Sequence, residues 1–125
     1  MEIRFSEAQL SSVLKLALAM IEADGKVKEV ELAMLADELG RIGVPREAVE
    51  SLIDSARAKS AAEAISAISG FDATRKRYIG ALLGSLLVVD GDANKDELKL
   101  WSFASVICDL PTMSIAEAVA FIKGL

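Results

Sequence analysis

Apolar residues fall at helical spacing along the whole chain, and in two stretches they leave almost no polar face. From Val13 to Ala23 the apolar residues include Leu14, Leu16, Leu18, Met20 and Ile21. The stretch from Ile79 to Val89 has the same character. A helix that is apolar all round is covered by its neighbours, so these two predict a central pair. Amphipathic segments surround them. The first helix opens at Ser6, with Gln9 completing a capping box and Phe5 and Leu10 at staple positions. A second helix is expected over about Glu29 to Ile42, with Leu32, Leu35, Ala36, Leu39 and Ile42 as its apolar positions at helical spacing. Gly40 and Gly43 mark its end, and Pro45 suits the first turn of a third helix over about Arg46 to Ala58. Val49, Leu52, Ile53 and Ala56 form its inward face. Ser60 and Glu63 box a short fourth helix that ends near Gly70, and Asp72 caps a fifth that runs to about Val89. The sixth covers about Lys95 to Asp109, burying Leu98, Trp101, Phe103 or Ala104, and Ile107. Pro111 closes it, and Ser114 with Glu117 boxes a last helix to Lys123. No segment alternates as a strand does. The expected fold is all-α with about seven helices in a single domain, residues 1–125, with no linker or low-complexity stretch.

The pattern repeats. Met20 to Leu32 and Leu86 to Leu98 align at a fixed offset (90 − 24 = 66). Asp24, Gly25, Glu31 and Leu32 recur as Asp90, Gly91, Glu97 and Leu98. Each copy is an apolar helix running into Asp-Gly, a short polar turn, and a helix opening with a glutamate. Two pseudo-symmetric helix–acidic turn–helix repeats around the central pair are therefore expected.

Composition narrows the class. The chain is 53% hydrophobic but only 5% aromatic, so the core is built from small and aliphatic residues that suit close helix packing. Gly80 and Gly84, four apart on one face, predict such a contact. No apolar run reaches the roughly 20 residues of a membrane span, and no signal-peptide pattern opens the chain. Cys108 is the only cysteine, which excludes a disulfide within the chain and fits a cytoplasmic protein. A net charge of −5 opposes nucleic-acid binding, which needs a basic face. With no histidine there is no histidine base, ligand or triad. Cys108 reads as a core residue, and Arg75-Lys76-Arg77 as a solvated helix start.

The acidic turns admit two readings. In the structural one, Asp before Gly forms an Asx-turn, and Asn94 with Glu97 forms a capping box. In the other they bind a cation. Carboxylates at a helix C-terminus oppose the macrodipole, at about 0.3–1 kcal/mol each when exposed. Asp24 and Asp90 both stand there. Asp90, Asp92, Asn94, Asp96 and Glu97 crowd the second turn, and oxygen-rich clusters suit hard cations such as Ca²⁺ or Mg²⁺. The spacing begins like an EF-hand loop, but Lys95 stands where that loop needs Gly and Trp101 where it needs Glu. Lys26 and Lys28 make the first turn the poorer site.

The doubled pattern at Ala23–Glu31 and Val89–Glu97, Asp-Gly followed six residues later by Glu, resembles the TerB family of tellurite-resistance proteins. Related domains stand beside the J-domain in some co-chaperones. The resemblance spans about Leu14 to Ile107. It implies an all-helical, pseudo-symmetric, non-enzymatic module of metal or tellurite stress responses, associated with proteins at the membrane. It also implies cation ligands at Asp24, Glu31, Asp90 and Glu97, to which the spacing adds Asp92. Val88-Val89 replaces the family's usual small residues. The expected function is thus binding of a divalent cation, of a protein partner, or of both through the acidic corners. The alternative is a structural adaptor or homodimerising domain with no metal site.

Overall fold

The computed structural model describes residues 3–22, 29–89 and 95–125. Among these are seven α-helices and no strand: α1 (Glu7–Ile21), α2 (Glu29–Arg41), α3 (Val49–Ala58), α4 (Ala61–Ser69), α5 (Ala73–Leu86), α6 (Lys95–Ile107) and α7 (Ile115–Lys123). The expected all-α class is found. A short 3-10 turn, Arg46–Ala48, stands where the third helix was expected to begin.

Local chemistry sets the helix starts. Ser6–Gln9, Ser60–Glu63 and Ser114–Glu117 form reciprocal capping boxes, so the two side chains of each box satisfy two otherwise orphaned backbone donors. Asp72 accepts the backbone N–H of Arg75. The ends of α2 and α6 match in equal detail. Val44 N–H donates to Leu39 O at 2.9 Å and Gly43 N–H to Gly40 O at 3.1 Å. Leu110 N–H donates to Ser105 O at 2.8 Å and Asp109 N–H to Val106 O at 3.3 Å. Both are Schellman motifs, which need a left-handed residue; here these are Gly43 (φ 99°) and Asp109 (φ 56°).

The helices reproduce the repeat. α1, α2 and α3 begin at 7, 29 and 49, and α5, α6 and α7 at 73, 95 and 115, an offset of 66 each time (73 − 7, 95 − 29, 115 − 49). Gly43 and Asp109, and Pro45 and Pro111, keep it too. Only α4 has no counterpart among the described helices, and it packs on α1. α1 and α5 touch each other and gather the rest: α3 and α4 lie on α1, α7 on α5, and α2 and α6 on both. Of α5, every residue from Tyr78 to Leu86 is buried.

The glycines of α5 make its closest approach. A Cβ on Gly84 would lie 2.6 Å from Trp101 Cζ2 and 2.9 Å from Ala118 Cβ. The indole crosses this face and its Nε1–H donates to Gly80 O at 3.0 Å.

The inward faces of α2 and α6 are now defined. In α2, Leu32 and Ala36 are exposed, while Glu31, Leu35, Glu38 and Leu39 are buried. The helix is rotated so that two acids face inward. In α6, Ala104 is the buried choice and Phe103 is 60% exposed.

Candidate functional site

Glu31 and Glu97 occupy the third position of α2 and α6, and they are 2% and 1% exposed. Isolated buried carboxylates are costly, so such burial needs compensation. A helix N-terminus supplies part of it, because its N–H groups and dipole favour negative charge. Capping does not by itself require burial. Glu63 and Glu117 hold the same third position in α4 and α7, close capping boxes, and are exposed. Burial thus singles out the two glutamates of the repeated corners.

The other expected ligands, Asp24, Asp90 and Asp92, lie outside the described residues, as do Asn94 and the turns themselves. Among the described residues no three acidic, histidine or cysteine side chains converge as a metal cluster.

A third buried acid, Glu38, escapes the sequence pattern. Glu38 Oε2 accepts the Tyr78 hydroxyl at 2.8 Å, and Glu38 Oε1 accepts Arg41 Nε at 3.2 Å, with a further contact from Arg41 Nη2 to Oε2. Burial first, then the Glu38 charge, push the Tyr78 hydroxyl far up, so it stays a neutral donor. The hydrogen bonds that Arg41 donates to Glu38 raise the pKa of its guanidinium in turn. A signal existed: Glu38 falls on the Leu35 and Leu39 face, with Arg41 one turn on. The network borders a cleft of about 420 Å³ lined by Ile3, Arg4, Phe5, Arg41, Ile42, Gly43, Tyr78 and Leu125.

The basic run is not simply solvated. Arg75 pairs with Asp72 at 2.8 Å, Lys76 pairs with Asp109 at 2.9 Å, and Arg77 lies over the Phe121 ring at 4.8 Å. Cys108 is fully buried, and desolvation pushes its thiol up, away from the nucleophilic thiolate.

A crystal structure of PG1108, a protein of unknown function from Porphyromonas gingivalis W83, is similar to this chain, with 36% identity and a TM-score of 0.88 over 98% of this chain and 99% of that one. This chain belongs to the PG1108 family. Coverage of both chains nearly end to end makes the whole helical arrangement a shared feature of the PG1108 family. No protein-family model matches the chain. No curated protein matches it either. No helix among the described residues is long and apolar enough to cross a membrane.

Proposed function

We propose that this protein is a non-enzymatic, TerB-like stress module of the cytoplasm that binds a divalent cation, with Ca²⁺ or Mg²⁺ preferred, at its acidic helix corners. The burial of Glu31 and Glu97 carries this reading, because their exposed counterparts Glu63 and Glu117 show that capping alone does not draw a glutamate inward. Carboxylate oxygens and the absence of histidine favour a hard cation over a transition metal. The second corner is the stronger site, since Asp90 and Asp92 add charge there and Lys26 and Lys28 oppose it in the first. Calorimetric titration of the full chain with Ca²⁺, Mg²⁺ and Zn²⁺ tests the proposal. Saturable heat with Ca²⁺ or Mg²⁺, lost in Asp90→Asn and reduced less in Asp24→Asn, is expected. No saturable heat at millimolar Ca²⁺ or Mg²⁺ rejects it.

A second reading, self-association without metal, rests on Phe103 and Val106, 60% and 80% exposed one turn apart on α6. Sedimentation of the wild type and Val106→Asp decides it. A dimer lost in the variant supports it, and a monomeric wild type removes it.

A further inference from the structure

A hollow of about 300 Å³ lies among α2, the end of α5 and α7, with Met34, Ser85, Val88, Val119, Ile122 and Lys123 in its wall. The lining residues are apolar apart from Ser85 and Lys123. Ser85 is 5% exposed, and its Oγ makes no hydrogen bond to any described residue. Other inward-facing helical serines bond to a carbonyl of their own helix: Ser11 to Ala8 O at 2.9 Å and Ser105 to Trp101 O at 2.9 Å. A buried hydroxyl without a partner costs about 1–3 kcal/mol, and Ser85, in the lining of the hollow, carries such a hydroxyl.

The repeat indicates what is absent. At the equivalent corner of the first half, Arg57 pairs with Glu22 at 3.3 Å. The 66-residue offset turns Arg57 into Lys123 and Glu22 into Val88. The cation is kept, the carboxylate has become a wall of the hollow, and no carboxylate among the described residues pairs with Lys123.

We propose that this hollow binds a medium-chain carboxylate, whose head group takes the place of the carboxylate missing from the second repeat. The hydrocarbon chain lies against Met34, Val88, Val119 and Ile122, while Lys123 pairs with the carboxylate and Ser85 Oγ donates to it. Size fits: a cavity of about 150 Å³ admits benzene, so twice that admits roughly ten non-hydrogen atoms, the size of octanoate. The site is separate from the acidic corners, and its test leaves the cation proposal untouched.

Calorimetric titration of the full chain with octanoate, and with octan-1-ol, decides the matter. Octanoate is expected to bind with one-to-one stoichiometry and the alcohol about tenfold more weakly, because it lacks the charge-assisted contact. Lys123→Met, an exposed position that leaves the fold intact, is expected to bind octanoate about as weakly as the wild type binds the alcohol. Ser85→Ala is expected to weaken octanoate while leaving the melting temperature of the ligand-free protein no lower. No saturable octanoate binding at millimolar concentration overturns the proposal. So does octanoate binding that both variants leave unchanged.

Discussion

At the scale of single residues, close packing separates two glycines that look alike in the sequence. Gly84 has Trp101 and Ala118 within 3 Å of where a Cβ would sit, both held in the core. At Gly80 the nearest atom is Met113 Cε at 3.1 Å, the free end of a flexible side chain. Gly84→Ala is therefore expected to destabilise the fold by about 1–3 kcal/mol through overpacking, and Gly80→Ala by much less. Urea denaturation of both variants checks the order; equal midpoints would show that α7 yields freely. The sequence makes this contact readable, because glycines four apart on an apolar helix have few other uses. Glu38 is readable only weakly, from its place on the Leu35 and Leu39 face. A lone glutamate in a helix reads as outward-facing until its two donors, Tyr78 from another helix and Arg41 from its own, are both in place. Likewise, Glu31 and Glu97 have the same local pattern as the capping glutamates. Their burial depends on the rotation of α2 and α6 against the core, which no local signal encodes.

At the scale of elements, caps and turns decide where helices start and stop. Gly43 sits at φ 99°, where a Cβ is strained, while Gly40 lies inside α2 with open space beside it. Gly43→Ala is expected to cost about 1–2 kcal/mol, and Gly40→Ala to stabilise by about 0.5–1 kcal/mol. Thermal melts of the two should shift in opposite directions; shifts of the same sign would contradict the Schellman assignment. The boxes also carry a pH dependence. Hydrogen bonds from Ser114 hold the Glu117 carboxyl below its ordinary value, and its bonds to Arg75 do the same for Asp72. A lowered folded pKa gives stability that is complete above the ordinary carboxylate range and is lost as pH falls through the lowered value. Glu117→Gln keeps the capping box but removes the titration. Its stability should fall less steeply than the wild type's on acidification, and parallel acid limbs would contradict this. The three S-x-x-E/Q boxes are legible because both partners lie within one turn. The face of α2 is not, because Leu32 and Ala36 extend the apolar pattern to a side that the core does not cover.

At the scale of the whole molecule, the chain is a duplicated three-helix unit with α4 added between the copies. Helix starts, left-handed residues and prolines all keep the 66-residue offset. That periodicity is legible because the Asp-Gly turns interrupt two long apolar runs at the same phase. The differences between the halves are not legible as packing. Gly84 and Ala118 stand where the first half has Leu18 and Leu52, so the second half is the tighter one. The two halves keep one acid in common at a buried place, Glu31 and Glu97, and on this pair the functional account rests. The most direct test is the melting temperature of the full chain with and without millimolar Ca²⁺ or Mg²⁺, for the wild type and for Glu97→Gln. A cation that binds only the folded state stabilises it by about 2.7 kcal/mol at a hundred times its Kd, and the gain requires ionised ligands, so it fades on acidification. The account predicts a rise in the wild type that Glu97→Gln loses at least in large part. A wild-type melting temperature that neither cation moves would contradict it and leave the buried glutamates as features of the fold alone.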